Sequence, residues 1–122
     1  MEKDLYNNIN FFYDGDALVK MSEKDSKACQ DLLSSDNYTL IINKKGECPK
    51  AFFERMSAAL SKVEGKQIFI SLRTIEEKRD IQHEIEVLID FTHKISYDKC
   101  AWTIIEDYYC KKELQVGILV SN

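Results

Sequence analysis

The feature that most constrains this chain is a double alternation between residues 38 and 120, in which short apolar runs are separated by segments of helical spacing. Tyr38-Thr39-Leu40-Ile41-Ile42 is short, apolar and rich in β-formers, and it reads as a buried strand. Asn43-Lys44-Lys45-Gly46 turns the chain, and Pro49 stands where a first helical residue is tolerated. Phe52, Met56, Ala59, Leu60 and Val63 then fall at helical spacing, with Gly65 as the stop. Gln67-Ile68-Phe69-Ile70-Ser71-Leu72 is a second buried strand. Thr74 opens the next helix, whose stripe is Ile81, Ile85, Leu88, Thr92 and Ile95. Ala101–Ile105 and Leu114–Val120 close the chain as two strands. Their connection is too short for a parallel crossover, so they are expected to pair antiparallel.

Before this core, Asp14-Gly15 lies between Ile9–Tyr13 and Ala17-Leu18-Val19, a good hairpin signal because glycine supplies positive φ. A short amphipathic helix on Leu5, Ile9 and Phe12 is the rival. Ser22 caps a charged helix through about Leu33, with Ala28, Cys29, Leu32 and Leu33 as its apolar stripe. The expected fold is α+β, a two-layer α/β sandwich. Its β-α-β-α-β-β core lies on a mixed sheet, preceded by an N-terminal hairpin and helix. A single domain fits the 122 residues. A sheet with helices on one side leaves the other face to be covered. Tyr38, Leu40, Phe69 and Trp102 are expected to supply apolar surface there, and self-association or partner binding is expected through that face or an open strand edge.

This order of elements resembles the C-terminal domain of the FtsZ/tubulin family, over about residues 50–121. The residues that carry it are Phe53-Glu54-Arg55-Met56-Ser57-Ala58-Ala59-Leu60 before strand Ile68–Leu72, then a long helix. Ile105-Glu106-Asp107, a short loop and Leu114–Ser121 look like that family's closing hairpin. The same architecture occurs in trimeric enzymes of the chorismate mutase-like group. The family binds GTP through a glycine-rich loop in a separate domain, and neither that loop nor the acidic loop of hydrolysis is present here. The resemblance therefore implies a fold and a tendency toward protein–protein contact, and carries over no catalytic or nucleotide-binding residue.

Charge excludes several functions. A net charge of −4 disfavours nonspecific binding to nucleic acid or anionic membrane, which needs a dense basic patch. No apolar run is long enough for a signal peptide or a membrane span. Cys29, Cys48, Cys100 and Cys110 form no CxxC pair, so free thiols and a cytoplasmic setting are expected.

The chemistry-bearing residues are weak as catalytic sets. His83 and His93 stand ten apart, whereas a zinc pair wants three or four, so no metal and no other cofactor is expected. Cys100 lies seven residues after His93 without a glycine-rich elbow, and a structural thiol is the better reading. A Cys100–Cys110 pair across the last hairpin is less favoured still. The carboxylate pairs Asp14/Asp16, Glu76/Glu77 and Glu106/Asp107 fit turns, strand ends and a first helical turn. No catalytic residue is assigned. Tyr108-Tyr109-Cys110-Lys111-Lys112 is the least bland segment, because exposed aromatics beside lysines are typical of binding surfaces. Tyr108, Tyr109, Lys111 and Lys112 are therefore the candidate partner-binding residues.

The leading expectation is a non-enzymatic protein-binding module, a small regulator or inhibitor of a partner protein. Immunity and anti-defence proteins, and division-related ones, fit that description. The alternative is an oligomeric small-molecule-binding protein or enzyme with an inter-subunit site, using Arg55 and Arg73 to hold an anionic ligand.

Overall fold

The apolar run Ile68-Phe69-Ile70 ends up in the middle of the sheet, because a stretch that is apolar on both faces must be covered on both sides. The computed structural model describes residues 12–13, 16–35, 37–61, 65–74, 81–106 and 115–122. Its elements are β1 (Asp16–Val19), α1 (Glu23–Ser35), β2 (Tyr38–Ile42) and α2 (Pro49–Leu60). They continue as β3 (Gln67–Thr74), α3 (Ile81–Thr92), β4 (Lys99–Glu106) and β5 (Gln115–Ser121). The five strands form one mixed sheet in the order β1-β4-β3-β5-β2. β3 and β4 run parallel, joined through α3, while β5 is antiparallel to both β3 and β2. The sheet with α2 and α3 forms the expected two-layer α/β sandwich, and α1 packs on the other sheet face.

The expected closing hairpin is not formed, because β4 and β5 are not neighbours and β3 lies between them. β5 is buried from Val116 through Val120, a run that needs a strand on each side. Insertion between β2 and β3 supplies both. The step from Glu106 to Gln115 crosses two strand spacings, roughly 10 Å, which that length of chain spans with ease.

Local signals hold at several ends. The Ser22 hydroxyl accepts the Asp25 backbone N–H at 3.1 Å, capping α1. Pro49 is the first residue of α2. Gly65 adopts φ +71°, but α2 ends earlier, at Leu60. Thr74 is the last residue of β3 instead of a helix start, since strand pairing Thr74 with Glu106 continues to that point. Phe12 and Tyr13 are helical and β1 pairs with β4, while the Asp14-Gly15 turn lies outside the described residues. β1 carries a bulge between Ala17 and Val19, and the Thr103 hydroxyl donates to the Val19 carbonyl at 2.7 Å.

Alternation along β3 divides the core in two. Ile68, Ile70 and Leu72 meet α2 and α3, where Phe53 and Phe91 stack at 4.7 Å between ring centres. Phe69 points the other way and packs with Cys29, Leu32 and Leu33 of α1 and with Phe12. The second sheet face is therefore not open. Phe69 is fully buried beneath α1, Tyr38 and Leu40 are half-buried at its margin, and Trp102 lies on the opposite face with α2 and α3. The Lys99 ammonium, 3.0 Å from the Asp25 carboxylate, ties α1 to β4 and holds that carboxyl below its usual range.

Candidate functional site

The ends of the sheet differ in how they treat their outer edge. β1 is short, bulged and followed by Lys20, devices that discourage further pairing. β2 has none of them: Tyr-Thr-Leu-Ile-Ile carries no charge, proline or glycine, and all five residues pair in regular register with β5. It is expected above to be buried, yet it is half-exposed, and Ile42 keeps 43% of its surface in water. The reason is position, since among the described residues β2 has a neighbouring strand along one side only.

The direction of the backbone groups follows from the ladder. Asn43 N–H bonds the Val116 carbonyl at 3.0 Å and Asn122 N–H bonds the Asn37 carbonyl at 3.1 Å. Hydrogen-bonded pairs alternate in an antiparallel ladder, so Thr39 and Ile41 face β5 in the same way. Leu40 and Ile42 therefore turn N–H and C=O outward.

The chain leaving β2 is held firmly. Two of the three guanidinium nitrogens of Arg55 bond Glu47, Nε at 2.9 Å and Nη2 at 2.8 Å, and Lys44 N–H donates to the same carboxylate. Asn43 bridges Val116 N–H and the Glu47 carbonyl. The Arg55 fork, then the Lys44 N–H, lower the Glu47 carboxyl from 4.5 to about 2. A depressed carboxylate stabilises the fold above its unfolded pKa, and that contribution is lost as pH falls through the folded value. Between pH 4.5 and 2, Glu47→Gln should therefore lose less melting temperature than the parent protein does. Equal slopes for the two proteins by calorimetry would count against this clamp.

Within one chain the two proposed ligand arginines lie on opposite sides of the sheet. Arg55 stands on α2, committed to Glu47 and 5.4 Å over the Phe52 ring. Arg73 is buried and alternates with Phe69, placing it on the sheet face that α1 occupies, opposite α2. Tyr108, Tyr109, Lys111 and Lys112 lie outside the described residues, as do Asp14, Glu76, Glu77 and Asp107. His83 and His93 are exposed, and no group of three His, Cys, Asp or Glu among the described residues could hold a metal ion. No helix among them is long and apolar enough to cross a membrane.

Cys29, Cys48 and Cys100 are free thiols. Burial pushes Cys29 and Cys100 up to about 12, with Asp25 adding to the effect at Cys100, so neither forms a thiolate near neutral pH. Cys100 is the second residue of β4, opposite Ile68, and Cys110 lies outside the described residues. At pH 8, iodoacetamide should label the exposed Cys48 at least about tenfold faster than Cys29 or Cys100, whose thiols burial keeps protonated and shielded. Fast labelling of Cys100 by peptide mass mapping would overturn that assignment.

Sequence reasoning misses two things here. One is the openness of β2, which depends on strand order. The other is a set of buried polar residues, Ser71, Arg73, Thr74 and Glu106, toward the carboxyl ends of β3 and β4. The available signal is the switch from apolar to Ser-Leu-Arg-Thr within a strand that is covered on both faces.

Fold and edge together define a small α/β sandwich with one uncharged, regular end strand. No protein-family model matches the chain, and no curated protein is similar to it in sequence. Among solved structures, its fold is similar to an FtsZ dimer from M. jannaschii, with a TM-score of 0.55 and 12% identity. That similarity covers 88% of this chain and 32% of the FtsZ chain, so this chain spans about a third of that protein's length. At such identity the likeness shows the fold alone.

Proposed function

We propose that the chain is a non-enzymatic protein-binding module, a small regulator or inhibitor, that takes an extended segment of its partner as a sixth strand on β2. The supporting observation is the unprotected edge, where Leu40 and Ile42 turn backbone groups outward and Ile42 remains 43% exposed. Strand addition draws affinity from such main-chain groups and specificity from alternate side chains. In this reading the likeness to FtsZ falls on its C-terminal domain, as the pattern of residues 50–121 implies. A division-related partner is then one member of the class, beside targets of immunity or anti-defence proteins. A cytoplasmic setting accords with the free thiols. Tyr108, Tyr109, Lys111 and Lys112 form a second proposed contact, tested by replacing both tyrosines with serine and measuring binding beside melting temperature.

The test is selection of displayed peptides on the folded protein. Strand-forming peptides should be recovered that bind at least about tenfold more weakly to Ile42→Pro, which removes an outward N–H and blocks the edge. Asp90→Asn, exposed on α3 and away from that edge, should bind them unchanged. Peptides that bind Ile42→Pro equally well, or no recovery above background, would sink the proposal. A second copy is the rival occupant, with Leu40 opposite Leu40 across a two-fold axis. Light scattering that shows a dimer for the parent and a monomer for Ile42→Pro would assign the edge to self-association instead.

A further inference from the structure

A half-open cavity of about 220 Å3 lies where β1, the start of α1 and the adjacent face of β4 meet, away from the β2 edge. Its walls are mainly apolar. Phe12 supplies an aromatic ring, Met21 a thioether, and Ala17 and Ile105 close the side against the sheet. Phe12 and Ile105 are almost fully buried, so their positions are fixed by the core.

The polar groups in the lining are few. The Tyr13 hydroxyl donates to the Ser26 carbonyl at 3.0 Å and lies 3.1 Å from the Ser26 hydroxyl. Burial pushes Tyr13 up to about 12, so this wall stays neutral. Thr103 spends its proton on the Val19 carbonyl and leaves oxygen lone pairs. Among the described residues of the lining, Lys20 is the charged one; it is exposed and has no ion pair with them, and none of them is a carboxylate.

Size and chemistry together limit the ligand. A cavity of about 150 Å3 holds benzene, so this one admits a single ring with a short substituent. Flat aromatic and thioether walls favour an aromatic ring over a branched chain. The Lys20 cation beside the neutral described walls favours one negative charge on that substituent. We propose that the cavity binds a small aromatic carboxylate, its ring between Phe12, Met21 and Ile105 and its carboxylate toward Lys20. This site is independent of the β2 edge, and its ligand is of a different class from the extended peptide proposed there.

Phenylacetate is the probe, with toluene and acetate as controls, read by chemical shifts of Met21, Ala17 and Ile105 in the full chain. Phenylacetate should give saturable shifts confined to the cavity at millimolar concentration, and acetate none. Lys20→Met should weaken phenylacetate about tenfold, the effect of one partly exposed charge-assisted contact, and leave toluene unchanged. Ile105→Trp should abolish binding of both rings. If that variant does not fold, Ala17→Leu narrows the same cavity from an edge strand and should weaken both. Saturable toluene binding without phenylacetate binding would make the cavity a neutral apolar site and overturn the proposal. So would phenylacetate affinity indifferent to Lys20→Met, or shifts that do not saturate.

Discussion

Replacing Phe69 with alanine should destabilise the protein by about 3–5 kcal/mol, among the largest effects of any single change. The ring is fully buried and packs with Cys29, Leu32 and Leu33 of α1 and with Leu119 of β5. Its removal takes away the transfer energy of an aromatic side chain and leaves a cavity that neither a helix nor a central strand can collapse to fill. Against a typical domain stability of about 5–15 kcal/mol, that loss is a large fraction. The opposite outcome has a clear meaning. Were the face uncovered, Phe69 would be exposed, and alanine would cost well under about 1 kcal/mol while improving solubility. The denaturation midpoint decides. A small shift would mean that α1 does not cover the sheet.

Proline at two neighbouring positions of β2 should give opposite results. Ile41 turns its N–H toward β5, where it pairs with Ile118, and Ile41→Pro should cost about 3 kcal/mol by removing an inner ladder bond. Ile42 turns its N–H outward, and its side chain is 43% exposed. Ile42→Pro should cost about 1 kcal/mol or less, because proline is tolerated on the open side of an edge strand. Thermal unfolding of the two variants measures the difference directly. Equal losses would mean that the register is shifted by one residue, or that the outer edge is already occupied. This contrast also establishes Ile42→Pro as a folded variant for the binding experiment.

Much of the local structure is legible along the chain. Ser22 fixes the start of α1 because its hydroxyl reaches the Asp25 N–H, and Pro49 marks the first turn of α2. The apolar run Ile68-Phe69-Ile70 announces a strand covered on both faces, and that is where β3 lies. These readings succeed because each depends on residues three or four apart, or on the content of one run. Thr74 fails as a helix start for the same reason in reverse. Its neighbours along the chain permit either state, and the pairing with Glu106 on β4 keeps it in the strand.

The sequence by itself determined the order and type of the main elements from α1 onward, the Ser22 cap of α1 and the first turn of α2 at Pro49. Tertiary structure alone decided which strands are neighbours, and every candidate site depends on that. The last two strands read as a hairpin because a short connection favours adjacency, yet β5 passes β3 and lies between β3 and β2. Burying Val116 to Val120 on both sides outweighs the slightly longer loop, since loop closure grows only slowly with length while apolar burial grows with every residue covered. The same insertion leaves β2 at the end of the sheet with Ile42 in water. Likewise α1, amphipathic in either setting, could have covered either face. Phe69 and Phe12 settle it on the face away from α2 and α3, because that is where the remaining apolar surface lay.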